Sequence, residues 1–199
     1  TLTQPAHVTA LTGIDALAHA LETYVTTTRT DLSMDYSRRA WELLSVNFIN
    51  VIDTANNLEA RSAMQLGACL AGLAIENSML GAAHALANPL TSHFNIVHGQ
   101  AVASMLPHVI RFNAQSMESQ YCELAVATNA VSGDDSEALA TFITEITQHS
   151  GLATRLEPQG VNADQLPMLA ADAAKQWTAR FNPRTVEVED LLALYQQAF

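Results

Sequence analysis

Apolar residues return along this chain every three or four positions rather than every second one. In SEALATFITEITQ, Leu139, Phe142, Ile143 and Ile146 fall on one helical stripe, and the same spacing recurs almost throughout. The pattern predicts an all-α fold, a multi-helix bundle with helices over 5–12, 13–27, 33–54, 58–80, 81–89, 98–112, 115–130, 135–148, 163–178 and 188–198. Local signals support several of these junctions. Asp31 and Ser33 can cap the helix after them, Gly133 with Asp134 and Asp135 breaks and restarts the chain, and Pro183 and Glu187 lead into the last helix. The run over 58–80 is rich in small residues, among them Gly67, Ala68, Cys69, Ala71, Gly72 and Ala74. Glycine inside a helix costs about 1 kcal/mol against alanine, so Gly67 and Gly72 predict close approach of another backbone, with this helix at the centre of the bundle.

Composition narrows the picture. A chain of 199 residues, nearly half of them apolar, can bury a sizeable core, and residues 1–199 are expected to form a single domain. The net charge is −11 and the nine Lys and Arg are scattered singly. No basic face exists to displace counterions from phosphates, which argues against nucleic acid and anionic membranes as partners. The longest apolar stretch, LGACLAGLAI at 66–75, is well short of the about 20 residues of a membrane span and reads as a buried helix. Cys69 and Cys122 are far apart in helical patterns, so neither a redox pair nor a thiolate zinc site is available, and a reducing cytoplasm is the expected location. The opening TLTQPAHV has no initiator Met, basic region or signal-type core, which is the start expected of a chain cut from a longer protein. No segment repeats at a solenoid period.

The candidate chemistry is carried by histidines. Asp15 and His19 lie four apart in GIDALAHALETY, which sets a carboxylate and an imidazole on one helix face. Their neighbours Ala16, Leu17, Ala18, Ala20 and Leu21 are apolar, so both groups must find partners inside the protein. The stretch GAAHALANPLTSHFNIVHGQ brings three of the seven histidines within fifteen positions, with no acidic or basic residue besides them. His84, on one helix, and His98, at the start of the next, can converge with Asp15 and His19 to give one oxygen and three nitrogen donors. That set suits Fe(II) or Zn(II), whereas calcium or magnesium would require more oxygens. His93 reads as a loop residue beside Phe94, His108 as a hydrogen-bonded core or boundary residue, and His7 and His149 as solvated groups near helix ends. No GxGxxG occurs, so these residues alone do not form the usual dinucleotide cradle, and no Gly-x-Ser-x-Gly elbow points to a hydrolase.

The segment TALTGIDALAHALETYVT resembles the part of the iron-containing (group III) alcohol dehydrogenases that carries the first two metal ligands. LAGLAIENSMLGAAHALANPLTSHFNIVHGQAVASMLPHVIRFN resembles the part with the other two, and the likeness continues through Asn182-Pro183-Arg184 to the closing EDLLALYQQAF. The resemblance implies the C-terminal domain of the dehydroquinate synthase-like fold, with the N-terminal Rossmann-like half outside this chain. It implies Asp15, His19, His84 and His98 as metal ligands, the same four that spacing suggests. It also places Asn88 where the family has a second His beside nicotinamide and substrate; an amide can orient an oxygen but cannot carry a proton near neutral pH. The implied activity is NAD- or NADP-dependent interconversion of small alcohols with aldehydes or ketones, the cofactor held mainly by the protein's own N-terminal domain. Leu90 and Phe94 would supply an aliphatic lining, and a homo-oligomer is possible. Alternatives are a maleylacetate reductase, a polyol dehydrogenase, or a non-catalytic helical metal-binding module; retention of all four ligands argues against metal-independent reductases.

Overall fold

The computed structural model describes residues 1–199 and is built from helices without a strand. The α-helices are α1 (Ala6–Val25), α2 (Asp31–Asp53), α3 (Leu58–Glu76), α4 (Ala82–Phe94), α5 (His98–Val126), α6 (Ser136–His149), α7 (Leu166–Ala173) and α8 (Val188–Ala198). Short 3-10 turns occupy Glu157–Gln159, Ala163–Gln165 and Trp177–Phe181. No helix is long and apolar enough to cross a membrane.

The axis of the bundle is α1. Ile14, Leu17, Ala18 and Ala20 are wholly buried on it, and it packs against α2, α3 and α5. The second long helix, α5, carries α4, α6 and α8 on its other sides, and α7 joins α4 to α8. The central position expected of the 58–80 segment is therefore wrong. Of the 48 residues in the main core cluster α3 contributes one, Ala71, while Leu66 and Leu73 are about half exposed and Cys69 is on the surface. The reason lies in the two glycines. Gly67 does mark a close approach, though by a side chain: a Cβ there would sit 2.7 Å from Leu44 Cγ on α2. Gly72 faces open space, with nothing within 4 Å of a Cβ. Small residues let one face of α3 lie flat on α2 without burying the helix.

Other boundaries moved for local reasons. The segments 5–12 and 13–27 are one helix, because Gly13 continues α1 and accommodates the Phe48 ring rather than ending the element. The segments 98–112 and 115–130 are also joined, with a kink at Met117 (φ −126°, ψ 21°). The helix expected over 81–89 runs through Pro89 and stops at Asn95, which takes a left-handed conformation (φ 53°). Pro89 deprives the Ala85 carbonyl of its helical donor, and next to it the Tyr195 hydroxyl donates to Leu86 O at 2.6 Å. At α2 the cap is Thr30: its Oγ1 accepts from the Ser33 amide at 3.1 Å while Ser33 Oγ accepts from the Thr30 amide at 2.8 Å. Asp135 caps α6 through the Ala138 amide at 2.8 Å.

Candidate metal centre

Three helices meet at one oxygen. Asp15 and His19 lie one turn apart on α1, His84 is in the first turn of α4, and His98 begins α5. The Nε2 atoms of His19, His84 and His98 lie 3.5, 3.3 and 3.5 Å from Asp15 Oδ1. The rings of His19 and His84 stack at an interplanar angle of 26° with centroids 5.0 Å apart, and those of His84 and His98 are tilted by 46° at 5.3 Å. The donor atoms of Asp15, His19 and His84 all lie within 4.8 Å of one another. Gly99 makes the approach of His98 possible, since any Cβ there would collide with the carbonyl oxygen of Leu11 on α1.

Exposure is graded across the cluster, from 5% for the His84 side chain through 23% for His19 to 38% for His98. The site is thus open on the His98 side and closed behind His84. Burial pushes His19 down to about 4, against the attraction of Asp15, and pushes His98 down as well. Burial acts in the same direction on His84, but Glu22 and Asp15 outweigh it and hold that ring at about 9. For Asp15 the desolvation that favours the neutral acid is overcome by its hydrogen bond to His84 and by the three imidazoles, so its carboxyl lies below the usual range.

Behind His84 is a residue that sequence reasoning missed. Glu22 is 4% exposed; its Oε2 lies 2.5 Å from His84 Nδ1, and its Oε1 accepts from the Ala83 amide at 2.7 Å. Asn182 Oδ1 accepts from the next free amide of α4, Ala82, at 3.3 Å. The N-terminus of α4 is therefore capped by side chains from α1 and from the segment before α8, a favourable place for a carboxylate. A signal for Glu22 was present: it stands seven residues after Asp15 and three after His19, on the same helical face of an otherwise apolar run.

Asn88 lies one turn beyond His84 and is half-buried, with Nδ2 donating to Gln176 Oε1 at 3.0 Å. Leu90 lines no cleft: it is fully buried in the core, because the continuation of α4 past Pro89 turns it inward, and Phe94 packs partly buried against the same core. His93 is helical rather than a loop residue, for the same reason, and pairs with Asp172 on α7 at 2.8 Å. His149 pairs with Asp53 at 2.6 Å. His108 is a half-buried boundary residue that lines a surface cavity together with Gln197.

Fold and cluster together define a helical bundle in which Asp15, His19 and His84 form a compact group able to hold a metal ion, and His98, outside that group, approaches Asp15 from the start of α5. Residues 9–199 match the family model described as "Fe-containing alcohol dehydrogenase family, C-terminal". The chain belongs to the iron-containing alcohol dehydrogenase family. It is 32% identical over 201 residues to 1,3-propanediol dehydrogenase of Klebsiella pneumoniae, covering 98% of this chain and 52% of that protein. Lactaldehyde reductase of Escherichia coli K12 is 31% identical over 209 residues, again covering 98% of this chain and 52% of the relative. A crystal structure of 1,3-propanediol oxidoreductase superposes on the whole chain with a TM-score of 0.95 at 30% identity, using 53% of its own length. An alcohol dehydrogenase from Oenococcus oeni does so at 0.92 and 28% identity, with 53% of its length used. The chain thus spans about half the length of the curated relatives it matches.

Proposed function

We propose that residues 1–199 form one metal-binding catalytic domain of an NAD- or NADP-dependent alcohol dehydrogenase that interconverts small alcohols with aldehydes or ketones. On this reading the nucleotide is held mainly by a Rossmann-like half outside these residues. The observation that carries the reading is the set of three imidazole Nε2 atoms drawn to 3.3–3.5 Å from a single carboxylate oxygen. The names of the relatives, a propanediol dehydrogenase and a lactaldehyde reductase, support small oxygenated substrates.

The donor chemistry fits Fe(II) or Zn(II): one oxygen and three nitrogens, with the His98 side the more exposed. When bound, a divalent ion there supplies a Lewis acid for an alcohol or carbonyl oxygen, and a nicotinamide supplies or takes the hydride. Asp15, His19, His84 and His98 would hold the ion. His19 and His98 suit that task at neutral pH, because burial keeps both imidazoles neutral with a lone pair to offer. On this reading substrate approaches from the more exposed His98 side. Asn88, one turn from His84, can orient a substrate oxygen through its amide but cannot move a proton.

The test is metal analysis of the full-length protein, with NAD- and NADP-linked alcohol oxidation followed before and after chelation. Bound divalent metal, loss of turnover on chelation, and loss of both metal and turnover in His84→Ala are expected. A protein that binds no divalent ion, or one whose turnover survives His84→Ala, overturns the proposal.

A further inference from the structure

We infer that Glu22 is a positioning residue for this centre: its carboxylate selects the ring tautomer of His84 and aims the other nitrogen at the point shared by Asp15, His19 and His98. The inference rests on the metal-centre reading above. It starts from the cost of burial. A carboxylate almost fully removed from water is unfavourable unless each oxygen is hydrogen-bonded, and both oxygens of Glu22 are, one by His84 Nδ1 and one by the Ala83 amide. An ionised carboxylate can only accept, so Nδ1 must be the nitrogen that carries the hydrogen. In a neutral ring Nε2 is then left with its lone pair, and Nε2 is the atom that faces Asp15 Oδ1 at 3.3 Å.

The same carboxylate fixes where the ring stands. Glu22 and His19 are both on α1, while His84 is on α4, so the only direct tie from Glu22 to the ring crosses between two helices. Its second oxygen, on the adjacent Ala83 amide, locks the first turn of α4 to α1 and leaves the His84 ring little freedom to swing. No comparable carboxylate lies behind His19 or His98, which reach Asp15 from more exposed positions. His84 is thus the ligand whose orientation is built in, and Glu22 is what builds it. Outer hydrogen bonds of this kind typically change metal affinity by about 10–100-fold when removed.

Glu22→Gln separates this role from simple packing. The amide keeps the size of the side chain and an oxygen for the Ala83 amide, but then turns an N–H toward Nδ1, which must become an acceptor and move the ring hydrogen to Nε2. In the full-length protein, stripped of metal and titrated with zinc or cobalt(II), Glu22→Gln is expected to weaken binding about 10–100-fold and to alter the cobalt(II) absorption spectrum. The unfolding midpoint of the metal-free variant, measured alongside, reports any general loss of structure. In a His84→Ala background the same change should leave the residual affinity within about twofold, since the ring it orients is gone. A long-range proton–nitrogen NMR spectrum of the zinc-loaded parent tests the tautomer without any variant and is expected to show His84 as the Nδ1–H form. An affinity in Glu22→Gln within about twofold of the parent, or a His84 ring ligating through Nδ1, overturns the role of Glu22 alone. A parent that binds neither ion removes the metal centre itself, and this inference with it.

Discussion

Charge is unevenly spread among the three imidazoles of the cluster: His84 is held at about 9 between two carboxylates while His19 is pushed to about 4 by burial. A metal must displace whatever proton its ligands hold. Metal affinity should therefore fall as pH drops, because the proton that Glu22 and Asp15 favour on His84 must leave before the ring can bind an ion. Zinc titrations from pH 6 to 9.5 check this; an affinity independent of pH would contradict the environment drawn for His84. Asn88→His makes a different prediction. It adds a titratable group one turn from His84, and should shift the pH profile of turnover without changing metal content. Steady-state kinetics with metal analysis distinguish the two, an unaltered profile showing that proton transfer does not pass through position 88. The Asp15–His19 pair was legible in the sequence because an i,i+4 face is a property of one helix. The partners of Glu22, His84 and Ala83, lie more than 60 residues away, and only the packing of α4 on α1 reveals them.

Among the elements, the glycines of α3 and α5 make opposite predictions from one residue type. Gly72 meets nothing within 4 Å, so Gly72→Ala should raise stability by about 0.5–1 kcal/mol through helix propensity alone. Gly67 faces the fully buried Leu44, whose Cγ would lie 2.7 Å from a Cβ, and Gly67→Ala should lower stability by about 1–3 kcal/mol through overpacking. Denaturant melts of both variants settle it, and equal effects would mean that α3 does not lie as described. Gly99→Ala should do more than destabilise: pushing the start of α5 off Leu11 carries His98 from Asp15, so metal affinity should fall along with the melting midpoint. Helix existence was readable from apolar periodicity nearly everywhere. Helix ends were not, because Gly13 and Pro89 are break signals that tertiary contacts with Phe48 and Tyr195 override.

For the whole molecule, acid sensitivity has a named contributor. Burial, helped by the nearby Arg111 charge, lowers His108 to about 4, against the opposite influence of the Gln197 side chain, from an unfolded value near 6.5. Its folded value is depressed, so the unfolded chain takes up the proton first. The stabilisation is present above about 6.5 and is lost as pH falls toward 4. Replacing it by His108→Gln should narrow the stability gap between pH 7.5 and pH 4.5 relative to the parent, as read by urea unfolding at both values; an unchanged gap would remove His108 from the account. The sequence by itself determined the helical class and the face on which Asp15 and His19 stand, since periodicity and i,i+4 geometry are local. Tertiary structure decided which helix is central, that Leu90 is core rather than cleft, and that Glu22 stands behind His84. Those outcomes depend on which surfaces meet. Small residues let α3 lie close to α2 without saying whether its far side is covered, and a buried carboxylate is tolerable only because helices distant in sequence bring it donors.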